Sequence, residues 1–166
     1  MTDYHPGLEG VIATQSSISD INGQKGILSY RGYSIEELAE KSTFEETAFL
    51  LLTGELPKSD ELLRFTEQIN IRRDLPSGMI NLLKTLPKDS NPMDVIQLAV
   101  SSLGAFYPIK FDAEELKAQK YSKDYYIEVS AGILGSIGSI VAAWNRIKNN
   151  KDYIKPDSNL SYADNF

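Results

Sequence analysis

The sequence predicts a mainly α-helical fold, a multi-helical bundle opened by a small N-terminal β-hairpin element. Three observations carry this prediction. Helix-start signals recur from Ser34 to Pro92, as Ser or Thr followed three residues later by Glu and as prolines ahead of apolar runs. Turn dipeptides flanked by β-branched residues are confined to the first thirty or so positions. A chain of 166 residues with 42% hydrophobic and 24% charged content is long and apolar enough to bury one sizeable core.

Residues 1–7 read as a loose tail and 8–166 as one domain. Over residues 8–31, Val11, Ile12, Thr14, Ile18, Ile21 and Ile27 come in short runs punctuated by Asn22-Gly23 and Lys25-Gly26, which predicts two or three short strands joined by hairpin turns. Ser34 to Glu37 forms a capping box that starts a short helix. Thr43 to Glu46 forms a second, ahead of a helix with Phe44, Ala48, Leu51 and Leu52 on one face. Gly54 and Pro57 stop that helix. Ser59 is expected to cap a third, with Leu62, Leu63, Phe65 and Ile69 as its apolar stripe and Arg72 and Arg73 complementing the negative end of its dipole. Pro76 opens a fourth helix, carrying Met79, Ile80, Leu82, Leu83 and Leu86. Pro92 opens a fifth, in which Ile96, Leu98, Ala99, Leu103 and Phe106 are expected to be buried. A short charged helix is predicted from Asp112, then the longest one, Lys123 to Lys148.

That last helix contains SAGILGSIGSIVAAW, Ser130 to Trp144, with no charge between Glu128 and Arg146 and glycines at Gly132, Gly135 and Gly138. Each glycine costs about 1 kcal/mol relative to alanine in a helix interior, so roughly 3 kcal/mol must be offset elsewhere. A membrane span is disfavoured by the short run, its serines and the lack of a second span. A phosphate cradle would need the glycines in a loop, not inside a helix. The remaining explanation is close backbone packing against another helix, either in the chain's own core or across a two-fold contact with a second copy. The expected homodimer interface is Gly132, Gly135, Gly138, Ser139 and Ala142.

Composition removes other functions. A net charge of −6 with scattered basic residues opposes nucleic-acid binding. The absence of cysteine excludes disulfides, thiol nucleophiles and Cys-ligated metals. His5, the single histidine, sits in the N-terminal tail and supports neither a Ser–His pair nor a His-based metal site. MTDYHPGLEGV has neither a basic n-region nor an apolar h-region, and the cytoplasm is the expected compartment.

Several stretches together resemble the citrate synthase family: GLEGVIATQSSISDINGQKGILSYRGYSIEELA (Gly7–Ala39), TFEETAFLLLTGELP (Thr43–Pro57), NPMDVIQLAVSSLGAFYP (Asn91–Pro108), IVAAWNRI (Ile140–Ile147) and the closing LSYADNF. The match runs in order over nearly the whole chain, and YRGYSIEEL followed by LLLTGELP is its most specific part. The resemblance implies a large, almost all-helical domain beside a smaller one, working as a homodimer, with interface helices that correspond here to Pro92–Phe106 and Asp124–Lys148. Ser136 and Gly138 stand where family members often carry Lys and Pro.

The resemblance also implies the chemistry: an enol of acetyl-CoA attacks oxaloacetate, and citryl-CoA is hydrolysed to citrate and CoA. Two histidines and an aspartate do this in the family, in motifs beyond the segment resembling LSYADNF. None of these motifs occurs here, so no catalytic, cofactor-binding or metal-binding residue is assigned, and acetyl-CoA is implied only as co-substrate of a parent enzyme. The expectation is the N-terminal part of a longer synthase, inactive by itself; a free-standing non-catalytic helical dimerisation module is the alternative. In LSYADNF, Ser161 and Asp164 form a near capping box with Leu160 as the outer half of a staple, opening a helix with less than two turns after it. Arg31 has two readings, a CoA phosphate contact or a pairing with a surface carboxylate. Glu36 and Glu37 read as helix-start charges.

Overall fold

The computed structural model describes residues 7, 11–12, 14–108 and 122–166. His5 and the charged helix expected from Asp112 lie outside these. Among the described residues there are seven helices and one three-stranded antiparallel sheet, as the sequence predicts. The chain divides into two compact units, Met1–Pro57 and Lys58–Phe166.

The first unit begins with β1 (Ser19–Asn22), β2 (Ile27–Tyr30) and β3 (Tyr33–Ser34), in the order β1-β2-β3. Val11, Ile12 and Thr14, expected in strands, lie in none; pairing starts at Ser19, opposite Tyr30. Asn22 and Gly26 frame the first turn, with the Lys25 N–H donating to both the Asn22 carbonyl and its side-chain oxygen. The second turn has only Arg31 and Gly32, both left-handed (φ 51° and 90°). Two such residues match the twist of the flanking strands. An arginine there needs support. Its N–H donates to the Ile18 carbonyl (2.9 Å), and its guanidinium donates to Ser17 Oγ (2.7 Å) and to the Leu51 carbonyl (2.9 Å). These partners replace the surface carboxylate expected for Arg31.

Helix α1 (Ile35–Lys41) is capped by Ser34, whose Oγ accepts from the Glu37 N–H. The reciprocal half of the expected box is missing, because the Glu37 carboxylate pairs with Lys41 one turn on (3.4 Å). Helix α2 (Phe44–Thr53) has both halves between Thr43 and Glu46, and ends at Gly54 with φ 95°. It buries Phe49 and Leu50, whereas Phe44 and Leu52 are exposed, contrary to the predicted face. Residues 48–52 are apolar all round, so their spacing does not define which side is covered.

The second unit contains α3 (Ser59–Ile71), α4 (Ser77–Thr85), α5 (Pro92–Phe106), α6 (Lys123–Lys148) and α7 (Tyr162–Asn165). Ser59 is the first residue of α3 and not its cap. Lys58 takes that place, and its N–H donates back to the Glu61 carboxylate (2.9 Å). Phe65 and Ile69 are buried, while Leu63 is 61% exposed. Leu75, Met79, Ile80, Leu83, Val95, Ala99, Leu103, Ile140, Ala143, Trp144 and Ile147 form the core between α4, α5 and α6. On α5 the buried line is Val95, Ala99 and Leu103, and Leu98 faces out.

Helix α6 is long and apolar enough by composition to cross a membrane. In this fold it packs against α3, α4 and α5. Its buried residues, Ala131, Gly135, Ser136, Ile140, Ala143, Trp144 and Ile147, recur every three or four positions and define one covered face. Gly104 on α5 is exposed, with open space where a Cβ would stand. Gly104→Ala is therefore expected to raise stability by about 0.5–1 kcal/mol, read as a higher urea midpoint at unchanged m-value.

Candidate functional site

The three glycines of α6 lie three apart, and a helix turns by about 100° per residue, so each successive glycine is rotated by roughly 60° from the last. One flat neighbour cannot face all three, and the structure uses two. A Cβ on Gly132 would stand 3.8 Å from the Arg72 stem, an ordinary contact. A Cβ on Gly135 would stand 2.9 Å from Arg72 Cβ and inside the Ile69 carbonyl oxygen, at 2.2 Å. The C-terminal end of α3 thus lies directly on the α6 backbone. Ser136, fully buried, donates from Oγ to the Arg72 carbonyl (3.2 Å) and satisfies an acceptor left over at the end of α3. Arg72 then reaches over the Tyr107 ring, 4.1 Å from its centroid.

Gly138 faces the other neighbour. Its missing Cβ would be 3.3 Å from Tyr162 Oη and 3.7 Å from the Phe166 ring. With that space free, Tyr162 Oη donates to the Leu134 carbonyl (2.7 Å). The flush helix that the sequence demands at Gly135 is thus α3 of the same chain, and Gly138 is covered by the C-terminal segment. Of the expected interface residues, Gly132, Ser139 and Ala142 are half-buried, and the last two line a groove.

This groove, about 740 Å³, runs between the second half of α6 and the segment from Tyr153 to Phe166. Small residues line it on α6 (Gly138, Ser139, Ala142), and Leu160, Tyr162 and Phe166 line it on the other segment. Arg73 lies beneath it, only 5% exposed, and donates to the Leu160 carbonyl (3.1 Å) with its guanidinium carbon 5.3 Å from the Tyr162 ring centroid. Arg73, Tyr162, Asn165 and Ser136 were not assigned from sequence. The Arg72-Arg73 pair was the one available signal, and helix-dipole complementarity accounted for it too easily.

At the edge of this region burial pushes the Tyr153 and Tyr107 phenols above their ordinary value of 10.0, with Arg72 opposing the shift at Tyr107. Tyr153 Oη accepts from the Leu75 N–H (3.3 Å). A raised phenol means that the folded state holds its proton more tightly than the unfolded one. The contribution is complete below pH 10 and is lost as pH rises through the folded values. Stability is expected to fall on the alkaline side of pH 10, and Tyr153→Phe to flatten that fall, measured by denaturation midpoints across pH 9–11.5.

Among the described residues no group of His, Cys, Asp and Glu is arranged to hold a metal. The sequence family described as "Citrate synthase, C-terminal domain" matches residues 7–166. The chain belongs to the citrate synthase family. It is similar to the citrate synthase of Acidithiobacillus ferridurans, 41% identical over 165 residues, which cover 99% of this chain and 42% of that protein. The crystal structure of citrate synthase from Pyrobaculum aerophilum superposes with a TM-score of 0.82 at 32% identity, covering 95% of this chain and 40% of that one. The Thermoplasma acidophilum citrate synthase, solved in ternary complex with carboxymethyl coenzyme A and oxaloacetate, gives a TM-score of 0.80 at 29% identity over 96% of this chain and 41% of that one. This chain thus spans about two fifths of the length of the citrate synthases it matches.

Proposed function

We propose that this chain is the N-terminal part of a cytoplasmic citrate synthase, contributing helices to a homodimer and catalytically silent by itself. The parent reaction is condensation of acetyl-CoA with oxaloacetate to citrate and CoA. A relative bound to a coenzyme A analogue and oxaloacetate supports that substrate pair. The observation that carries the reading is the histidine count: His5 alone, against the two histidines and one aspartate expected of the family. Placement in the N-terminal part rests on the ordered segments from Gly7 to Phe166, with the family's catalytic motifs lying beyond the last of them. Purified chain supplied with acetyl-CoA and oxaloacetate is expected to release no CoA above background. Enzyme-like turnover would overturn the proposal.

Self-association is favoured by the outward side of α5, where Met93 is 67% exposed, Leu98 is 41% exposed and Gly104 is uncovered. Gly132, Ser139 and Ala142 on α6 belong to the same proposal. Sedimentation at high micromolar concentration is expected to show dimer, and a clean monomer would count against it. The same open face favours a second reading, a free-standing dimerisation module. Co-expression with the remaining part of a related synthase separates the two. Restored condensation supports the synthase reading, and dimer without turnover supports the module.

A further inference from the structure

Asn22 is the only asparagine of the sequence that is followed by glycine. It is the last residue of β1, and Gly23 is the first residue of the turn into β2; both are exposed. The Asn22 side chain folds over this turn, with Oδ1 accepting the Lys25 N–H at 3.1 Å while the Asn22 carbonyl accepts the same N–H at 3.2 Å. Asparagine commonly opens a turn in this way. Here the bond has a chemical consequence. It holds the side-chain amide above the turn that the Gly23 nitrogen begins, and it polarises the amide carbonyl as a backbone donor does in an oxyanion hole. Gly23 has no side chain to block an approach, and glycine gives the turn the widest choice of backbone angles.

We propose that Asn22-Gly23 is a self-modification site, at which the folded hairpin converts Asn22 to aspartate and isoaspartate. The Gly23 nitrogen, its proton lost to solvent, attacks Asn22 Cγ and forms a new C–N bond. The negative charge develops on Oδ1, where the Lys25 N–H receives it. The bond from Cγ to Nδ2 then breaks, and Nδ2 leaves as ammonia with a proton from water. The cyclic imide that remains takes up one water. Opening at Cγ gives aspartate, and opening at the backbone carbonyl gives isoaspartate. No oxidant, metal or further reactant is needed, and nothing is drawn from the proposed activity.

The two products differ in what they do to the sheet. Aspartate keeps an acceptor for the Lys25 N–H and adds one negative charge beside Ile21, which is 71% exposed. Isoaspartate inserts a methylene into the backbone at the residue opposite Ile27, so it breaks the pairing that closes the β1–β2 ladder.

Incubation of the folded chain in mildly alkaline buffer, followed by tryptic mass spectrometry, tests the proposal. The expected result is replacement of amide by acid at Asn22 ahead of every other asparagine. Part of that product is expected to accept a methyl group from an isoaspartate-specific methyltransferase used as reagent. Gly23→Ala is expected to lose both signals. It should fold, because Gly23 lies outside the left-handed region and a Cβ there would meet nothing within 4 Å. Asn22→Asp is expected to show no mass gain at residue 22 and to supply the reference for the normally linked product. Conversion in the urea-unfolded chain but not in the folded one would overturn the proposal. So would earlier conversion at another asparagine, or an unchanged rate in Gly23→Ala.

Discussion

Replacing Gly135 with alanine is expected to destabilise the second unit by about 2–3 kcal/mol, even though alanine gains about 1 kcal/mol in helix propensity. The added methyl would occupy the Ile69 carbonyl oxygen and crowd Arg72 Cβ. Neither neighbour is the free end of a side chain, so the C-terminal end of α3 must move off α6 as a body. That movement also breaks the Ser136 bond to the Arg72 carbonyl. Gly135→Leu is expected to prevent α3 from docking at all, lost as a cooperative thermal transition and as protection of α3 amides. The neighbouring glycines calibrate the effect. Gly132→Ala meets only an ordinary contact at 3.8 Å and is expected to be neutral or stabilising; Gly138→Ala, 3.3 Å from Tyr162 Oη, falls between the two. Urea denaturation of the three alanine variants should therefore rank them 132, 138, 135 in decreasing stability.

Trp144→Ala is expected to cost about 3–5 kcal/mol, the usual range for deleting a buried aromatic side chain. Trp144 is 3% exposed and packs in the core that α6 shares with α4 and α5. Its indole N–H is buried with no hydrogen-bond partner among the described residues. An unmet donor of this kind costs about 1–3 kcal/mol, so Trp144→Phe removes a penalty along with some volume. Its net cost is expected to be about 1 kcal/mol or less, well below that of alanine. Paired urea curves for the two variants measure the difference. Equal losses would mean that the indole N–H is satisfied in solution.

What was legible in the sequence depended on whether a local signal had one reading. Thr43 and Glu46 make a complete capping box because nothing competes for the glutamate. The Ser34 box is half made because Lys41, four residues after Glu37, draws that carboxylate away. At α3 the sequence points to Ser59 as the cap, although Glu61 serves the Lys58 N–H one position earlier. The apolar run over residues 48–52 has no polar side, so no periodicity argument finds Phe49 and Leu50 as its buried pair. The glycines of α6 correctly announced a close backbone approach. Their spacing says how near a neighbour comes but not whose helix it is, and the rotation between successive glycines splits them between α3 and the segment holding Tyr162 and Phe166. Asn165 carries no sequence signal, and Arg73 only the ambiguous one of the Arg72-Arg73 pair, for a related reason. Each donates to backbone carbonyls, which every residue has, so no pairing of residue types betrays it.

The most direct test of this account asks which molecule lies on Gly135. Equal amounts of isotope-labelled and unlabelled chain would be mixed, refolded together and examined by filtered NMR experiments. The predicted result is a contact between the Gly135 α-protons and the Arg72 β-protons that arises only within a single chain. The same contact appearing between labelled and unlabelled chains would contradict the account, since the surface over the glycine would then belong to a second copy.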